Sequence, residues 1–333
     1  MNRISTQLSP AARPLPWPSD PIDMKPPVED GQMVIPTLGM SLVDERVQLR
    51  YRLIGRAGAP VLLTLGGISA DRCVDQWWSD LFGCGRAFNP EHYRLLSMDW
   101  LSREDGQAVQ TRDQAIALAR LLDGLGIECV QNFIGASYGA MVGLAFAAEF
   151  PQRLGRLIAI SGPHQAHPIS TARRIVQREI LRLGAERDVP ERGVALARAL
   201  ALTTYRPPEL FEQRFDQSDA QERLAALHGY LRHVGVSFAG RFDLPRYLSL
   251  SESMDLHQVE PARVRCTTHL VAVDSDELVP VSQLESLAAQ LGGPVRLHHV
   301  RSIYGHDAFL KEPELFNRLI SRSIAGEVCH AVA

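Results

Sequence analysis

A serine flanked by glycines, in the string Gly135-Ala136-Ser137-Tyr138-Gly139, stands where the apolar run "VQNFIGA" meets the small-residue stretch "AMVGLAFAAEF" that Pro151 stops. A serine hydroxyl is a weak nucleophile until a histidine takes its proton and a carboxylate orients that histidine. A sharp strand-to-helix turn exposes such a serine, and the flanking glycines let the backbone make the turn. The alternative for Ser137 is a small residue in a structural turn. The base is expected far downstream, on a loop after the last strand, and His306 in "SIYGHDAF" stands there. His298 and His299 fall inside the preceding strand, where a histidine more often packs or faces solvent. The carboxylate is expected after the penultimate strand, where "LVAVDSDELVP" offers Asp274, Asp276 and Glu277. Asp274 fits a strand end or a turn cap; Asp276 lies deeper in the loop and is the choice.

Acyl transfer also needs donors aimed at the oxyanion of the tetrahedral intermediate. The N–H of Tyr138, the residue after the nucleophile, supplies one. The other is expected from the loop after the early strand "PVLLTLGGIS", where Gly66 and Gly67 allow close approach and Ile68 N–H is the candidate. The chemistry needs no metal and no resident cofactor.

These residues need a scaffold, and the chain alternates strand-like and helix-like segments from about residue 47. "VQLRYRLIG" alternates in polarity, "PVLLTLGGI" and "YRLLSMDWL" are short apolar runs, and "DQAIALARLLDGLG" has helical periodicity. After the serine segment come "RLIAISG", then "TTHLVAV", "VSQLESLAAQLGG", "PVRLHHVRS" and a closing helix "PELFNRLISRSI". Strands separated by helices imply a mostly parallel sheet covered on both faces. Between about residues 164 and 244 the pattern becomes helical and rich in Arg and Glu, as in "ISTARRIVQREILRLGAE", which reads as a helical lid over the sheet. The chain order Ser137, Asp276, His306 is that of the α/β-hydrolase triad, so the α/β-hydrolase fold is expected. Residues 41–165 and 245–326 form its core, 166–244 the inserted lid, and 1–40 a disordered tail, with five prolines in the first 21 residues.

The 333 residues carry a formal charge of -3, which gives no basic field for nucleic acid or an anionic membrane and favours a small-molecule partner. Five scattered cysteines without a C-x-x-C spacing read as reduced thiols in a cytoplasmic protein. The N-terminal segment holds no apolar core of a signal peptide, and no later run is long enough to span a bilayer.

The strings "GGISAD", "GASYGA", "SESMDLH", "DSDELVP" and above all "YGHDAFLKE" resemble the homoserine O-acyltransferase family of the α/β-hydrolase fold, over about residues 45 to 325. The likeness is greatest to the compact members that use succinyl-CoA, including at "SGPHQAHP". The resemblance implies an acyl-CoA-dependent enzyme that opens methionine biosynthesis, with homoserine as acceptor, succinyl-CoA as co-substrate and a homodimeric assembly. It implies that Arg198 and Tyr205 on the lid and Asp307 beside the catalytic histidine hold the amino acid, and that Arg174 selects the acyl group. The bland alternatives are a solvated lid arginine for Arg198, a helix N-cap for Asp307 and a charged helix face for Arg174. Two departures stand out: Tyr138 replaces the family's usual methionine, and "MDWLSREDGQAVQTRDQ" lacks the G-S-T-G-P loop of longer members. The rival functions on the same machinery are acetyl transfer, serine as acceptor, and ester hydrolysis. A non-enzymatic scaffold is disfavoured by the intact triad.

Overall fold

The computed structural model describes residues 26–42 and 44–325. Eight strands run β1 Val28–Pro36, β2 Arg46–Ile54, β3 Val61–Leu65, β4 Arg94–Met98, β5 Val130–Ala136, β6 Leu154–Ile160, β7 Thr267–Val273 and β8 Val295–Val300. They form one sheet in the order β1-β2-β4-β3-β5-β6-β7-β8, parallel except where β2 pairs with β1 and with β4. The central strands are apolar almost throughout because both of their faces are covered. Successive residues point to opposite faces. Phe133, Leu157 and Leu270 therefore enter one core cluster, and their next neighbours Ile134, Ile158 and Val271 enter the other.

Eleven α-helices occur among the described residues. In chain order they are α1 Val74–Trp77, α2 Thr111–Gly124, α3 Tyr138–Glu149, α4 Pro168–Glu186, α5 Pro190–Tyr205, α6 Pro208–Arg214, α7 Ala220–Ala239, α8 Leu244–Asp255, α9 Val281–Gln290, α10 Ala308–Lys311 and α11 Pro313–Ala325. The first cluster packs α2, α3 and α9 on the sheet, and the second packs α11. The α3 sequence is small and apolar all round because eleven of its twelve residues are buried. Proline opens α4, α5, α6 and α8, where its fixed φ suits a first turn and its missing N–H would have lacked an intrahelical partner.

Two expected boundaries move. Residues 28–36 lie within the expected tail but form β1, an edge strand held by its ladder to β2 and by Arg52, whose guanidinium grips Asp30 at 2.7 Å and Asp75 at 2.9 Å. Its sequence, "VEDGQMVIP", has low strand propensity, so only the pairing with β2 makes it a strand. Residues 1–25 of that tail lie outside the described residues, as does Cys329. The helical region also runs past 244 into α8, which the Asp243 side chain caps through Arg246 N–H at 2.7 Å. α8 is tied to α4 because Asp255 accepts hydrogen bonds from Thr171 Oγ1 (2.8 Å), Arg174 Nε (2.7 Å) and Arg178 Nη1 (2.6 Å).

Candidate active site

Ser137 stands directly after β5 at the N-cap position of α3, with φ 55° and ψ −116°, a conformation that L residues rarely adopt. The strain sits on the serine itself; neither flanking glycine has a positive φ. The expectation that the glycines make the turn is therefore corrected: they are required for close approach. A Cβ on Gly135 would lie 2.4 Å from Gly139 O, and one on Gly139 would lie 2.2 Å from Leu65 O and 2.8 Å from Gly66 O. Without side chains there, the loop after β3 presses on the turn, and Gly139 N–H donates to Gly66 O at 2.8 Å.

His306 follows β8 in a short turn, with Nε2 2.7 Å from Ser137 Oγ and Nδ1 2.7 Å from Asp276 Oδ2. With its proton on Nδ1, held by the carboxylate, the ring presents Nε2 as acceptor for the serine O–H. Asp276 is buried, and its other oxygen accepts from Leu278 N–H (2.9 Å) and Val279 N–H (3.1 Å), so the carboxylate is fixed before any substrate arrives. Asp274 is half exposed, beside His299 and Arg301, and Glu277 faces Arg173. His298 is buried against His269 at 3.0 Å on the neighbouring strand, away from the serine. Burial disfavours a charge on His306, but the adjacent, hydrogen-bonded Asp276 outweighs it, helped by Asp307 and opposed by Arg174. The net effect raises the imidazole above its ordinary pKa.

Tyr138 opens α3, where its N–H has no intrahelical carbonyl to bond. Its side chain is fully buried: the ring meets Trp100 edge-on at 4.8 Å, and the hydroxyl lies 2.7 Å from Ser253 Oγ on α8. That burial pushes the phenol pKa well up. Ile68 lies on the loop after β3, which passes so close to the nucleophile that a Cβ on Gly67 would stand 4.0 Å from Ser137 Cβ.

Ser137, Ile68 and His306 line a cavity of about 290 Å³ whose walls also carry Arg173, Arg174, Arg198, Arg241 and His167. Arg198 lies over the rings of Tyr205 (5.2 Å) and Phe238 (4.7 Å), and its Nε is buried without a protein partner. The Tyr205 ring in turn lies 5.9 Å from that of His306. Arg174 is not a solvated helix residue: Asp255 holds its Nε, while its Nη2, though 2.6 Å from the same oxygen, lies outside hydrogen-bond geometry and has no acceptor. Arg173 Nη1 and His167 Nδ1 are buried donors or acceptors in the same condition. A buried guanidinium N–H without an acceptor is costly, and Arg198, which has no carboxylate beside it as Arg173 and Arg174 do, is the cavity arginine best placed to receive an anion.

Asp307 lines the cavity but is already paired, accepting from Arg206 Nε at 3.0 Å; Arg206 also bonds the Tyr230 hydroxyl. Its side chain makes no N-cap hydrogen bond. Sequence reasoning missed Arg206, as it missed Arg173 and Asp255, because residue type alone does not separate these from other lid charges. It also missed Ser161 after β6, which has φ 48° and a buried, partnerless hydroxyl on the cavity wall. "RLIAISG" carried no signal for it.

The parallel sheet, the strained serine turn and the hydrogen-bonded Ser–His–Asp set together define a protein of the α/β-hydrolase fold, and the family model for that fold matches residues 60–313. At the level of sequence, the chain is 41% identical to a homoserine O-succinyltransferase of Xanthomonas campestris pv. campestris, covering 90% of this chain and 85% of that protein. It is 30% identical to a homoserine O-acetyltransferase of Chlorobaculum tepidum, covering 82% and 88% respectively. The chain belongs to the homoserine O-acyltransferase family. Its fold is shared with the crystal structure of a homoserine O-acetyltransferase from Bacillus anthracis, with a TM-score of 0.80 at 16% identity, covering 91% of this chain and 99% of that one.

Proposed function

We propose that this protein is a homoserine O-succinyltransferase that works by a ping-pong mechanism through an acyl-enzyme on Ser137 and opens methionine biosynthesis. The observation that carries the reading is that one cavity is lined by Ser137, His306 and two lid arginines: Arg198, whose Nε is buried without a hydrogen-bond partner, and Arg174, which Asp255 anchors in the wall. A simple esterase has no need of those cations.

His306 Nε2 takes the Ser137 proton as Oγ attacks the thioester carbonyl of succinyl-CoA. The tetrahedral oxyanion is held by the N–H groups of Tyr138 and Ile68. Its collapse forms the succinyl ester on Oγ and breaks the C–S bond, and His306 returns the proton to the departing CoA sulfur. The homoserine γ-hydroxyl then gives its proton to the same nitrogen and attacks the ester; the acyl–Oγ bond breaks, His306 returns the proton to Ser137 Oγ, and O-succinylhomoserine leaves. Arg198 and Tyr205 hold the amino-acid carboxylate. Asp307 receives the ammonium while sharing its charge with Arg206. Arg174 meets the far carboxylate of the succinyl group, and the lid keeps water from competing as acceptor.

The test is CoA release from succinyl-CoA or acetyl-CoA, each with homoserine, serine or no amino acid. Release is expected only with an acceptor and fastest with succinyl-CoA and homoserine; release without any amino acid would sink the transferase reading in favour of hydrolysis. Arg174→Gln removes a charge-assisted contact worth about 1.5–3 kcal/mol. It should lower kcat/KM for succinyl-CoA roughly tenfold to a hundredfold, with little change for acetyl-CoA. Equal losses on both donors would remove Arg174 from acyl selection.

The same reading places the protein in the cytoplasm as a homodimer that binds neither nucleic acid nor membrane. Cys73, Cys84, Cys129 and Cys266 are all free thiols, and no helix among the described residues is long and apolar enough to cross a membrane. Ile169, Val176 and Leu183 recur along α4 as exposed apolar side chains, joined by Leu196 on α5 and Val236 on α7. A second copy would cover them. Light scattering should give twice the chain mass of 36.9 kDa, and a mass of one chain in dilute solution would refute the dimer.

A further inference from the structure

The loop that carries Ile68 is gripped from one direction by the two residues that follow β4. Trp100, itself buried, donates its indole N–H to Gly67 O at 3.0 Å. Asp99 accepts from Arg72 N–H at 2.9 Å and from the Arg72 guanidinium at 3.1 Å, and so fixes the far end of the same loop. The Gly67 carbonyl receives a second hydrogen bond from Ala70 N–H at 3.0 Å. In a trans peptide the C=O and the following N–H point in opposite directions. Anchoring Gly67 O therefore decides where Ile68 N–H points. The same indole also packs edge-on against Tyr138, at 4.8 Å between ring centroids. One side chain thus touches the residue that supplies one oxyanion donor and holds the peptide that supplies the other.

We propose that Trp100 is a positioning residue for the oxyanion site: its indole N–H holds the Gly67–Ile68 peptide with the Ile68 N–H directed away from Trp100 and into the cavity it shares with Ser137. The inference rests on Ile68 N–H being the second oxyanion donor. Without the Trp100 bond the Gly67 carbonyl keeps only the Ala70 N–H, a contact within its own loop, and the peptide rocks so that the Ile68 N–H loses its aim. Tyr138 and Trp100 belong together, since the two buried rings pack against each other at an interplanar angle of 78°. A methionine at position 138 would offer no ring for that contact.

The experiment uses the full-length protein and p-nitrophenyl acetate as probe. Ser137 Oγ forms the acetyl ester, the bond to p-nitrophenolate breaks, and the Ser137 proton passes to His306; the burst of p-nitrophenolate reads this step. Trp100→Phe keeps an aromatic ring and loses the N–H, while benzothienylalanine at position 100 keeps the bicyclic shape and loses only the N–H. Both should lower the acylation rate constant about tenfold, part of the loss of a hundredfold or more seen when an oxyanion donor is removed outright. The half-saturating concentration should stay within about twofold, because the donor acts on the transition state. The pH profile should not move, since the His306–Asp276 pair is untouched. The preference for a carbonyl ester over its thiono analogue should shrink in step, because sulfur is the poorer acceptor for the donor that has been misplaced. Acylation by the benzothienyl protein within about twofold of the parent would overturn the proposal, as would a loss confined to the half-saturating concentration. If Trp100→Phe does not fold, the isosteric replacement decides alone. The probe requires neither CoA nor homoserine, so failure of succinyl transfer and failure of the Trp100 assignment are read separately.

Discussion

Ser137→Gly is expected to abolish acyl transfer and at the same time to raise the thermal midpoint. Removal of a catalytic serine costs roughly a million-fold in rate in serine enzymes, because no acyl-enzyme forms and the histidine has nothing to activate. The stability gain has a separate origin. Ser137 sits at φ 55° and ψ −116°, in a region that costs an L residue about 1–3 kcal/mol and costs glycine almost nothing. Glycine loses about 0.5–1 kcal/mol of that gain through the greater freedom of its unfolded chain. The net effect is a stabilisation of about 1 kcal/mol, or a few degrees at most in a chain of this size. Ser137→Ala separates the two effects, since it removes the hydroxyl but keeps the strain: it should be as inactive as the glycine variant and no more stable than the parent. Retained turnover in either variant would end the assignment of Ser137 as nucleophile. A glycine variant less stable than the alanine one would show that the turn is not strained.

The second large effect concerns Asp276. Asp276→Asn keeps the shape of a side chain that accepts from Leu278 and Val279 N–H, but no longer holds the proton on His306 Nδ1. The maximal rate should fall by about ten-thousand-fold, the cost of presenting the wrong tautomer to the nucleophile. The pH profile carries the diagnostic. His306 must be neutral to accept the serine proton, so activity in the parent rises with pH through a pKa that Asp276 raises above the usual 6.5. In the variant that raising influence is gone, while burial and Arg174 still disfavour the charged ring. The acid limb should therefore move to lower pH even as the plateau falls. Kinetics from pH 5 to 9 would measure both. An unmoved limb would mean that another carboxylate controls His306, and Asp307 is the one at hand. Asp274→Asn, at a half-exposed position beside His299 and Arg301, should change the rate by less than about twofold.

Much of this was legible along the chain because it is local. The runs that became β3 to β7 are largely apolar where the sheet buries both of their faces, and Ser137, Asp276 and His306 each follow a strand at the same end of a parallel sheet. A parallel sheet collects such loops together whatever their separation in sequence, so residue type and position after a strand were enough to pick three residues that the fold joins by hydrogen bonds. β1 was not legible, because "VEDGQMVIP" becomes a strand only through its partner β2. The extent of the lid was not legible either, because α8 joins it through a buried carboxylate bonded to three side chains of α4.

Sequence alone marked the groups of the candidate site, a serine, a histidine, a carboxylate and a set of lid cations, each by residue type and by its place after a strand or on a helix. Only the tertiary structure decided how those groups are held. It put the strain on Ser137 instead of its glycines, occupied Asp307 with Arg206, gave Arg174 an anchor in Asp255 and brought Trp100 to the Gly67 carbonyl. The physical reason is that a hydrogen bond or ion pair between distant residues depends on directions in space to within a few tenths of an ångström, and neither composition nor spacing along a chain records them.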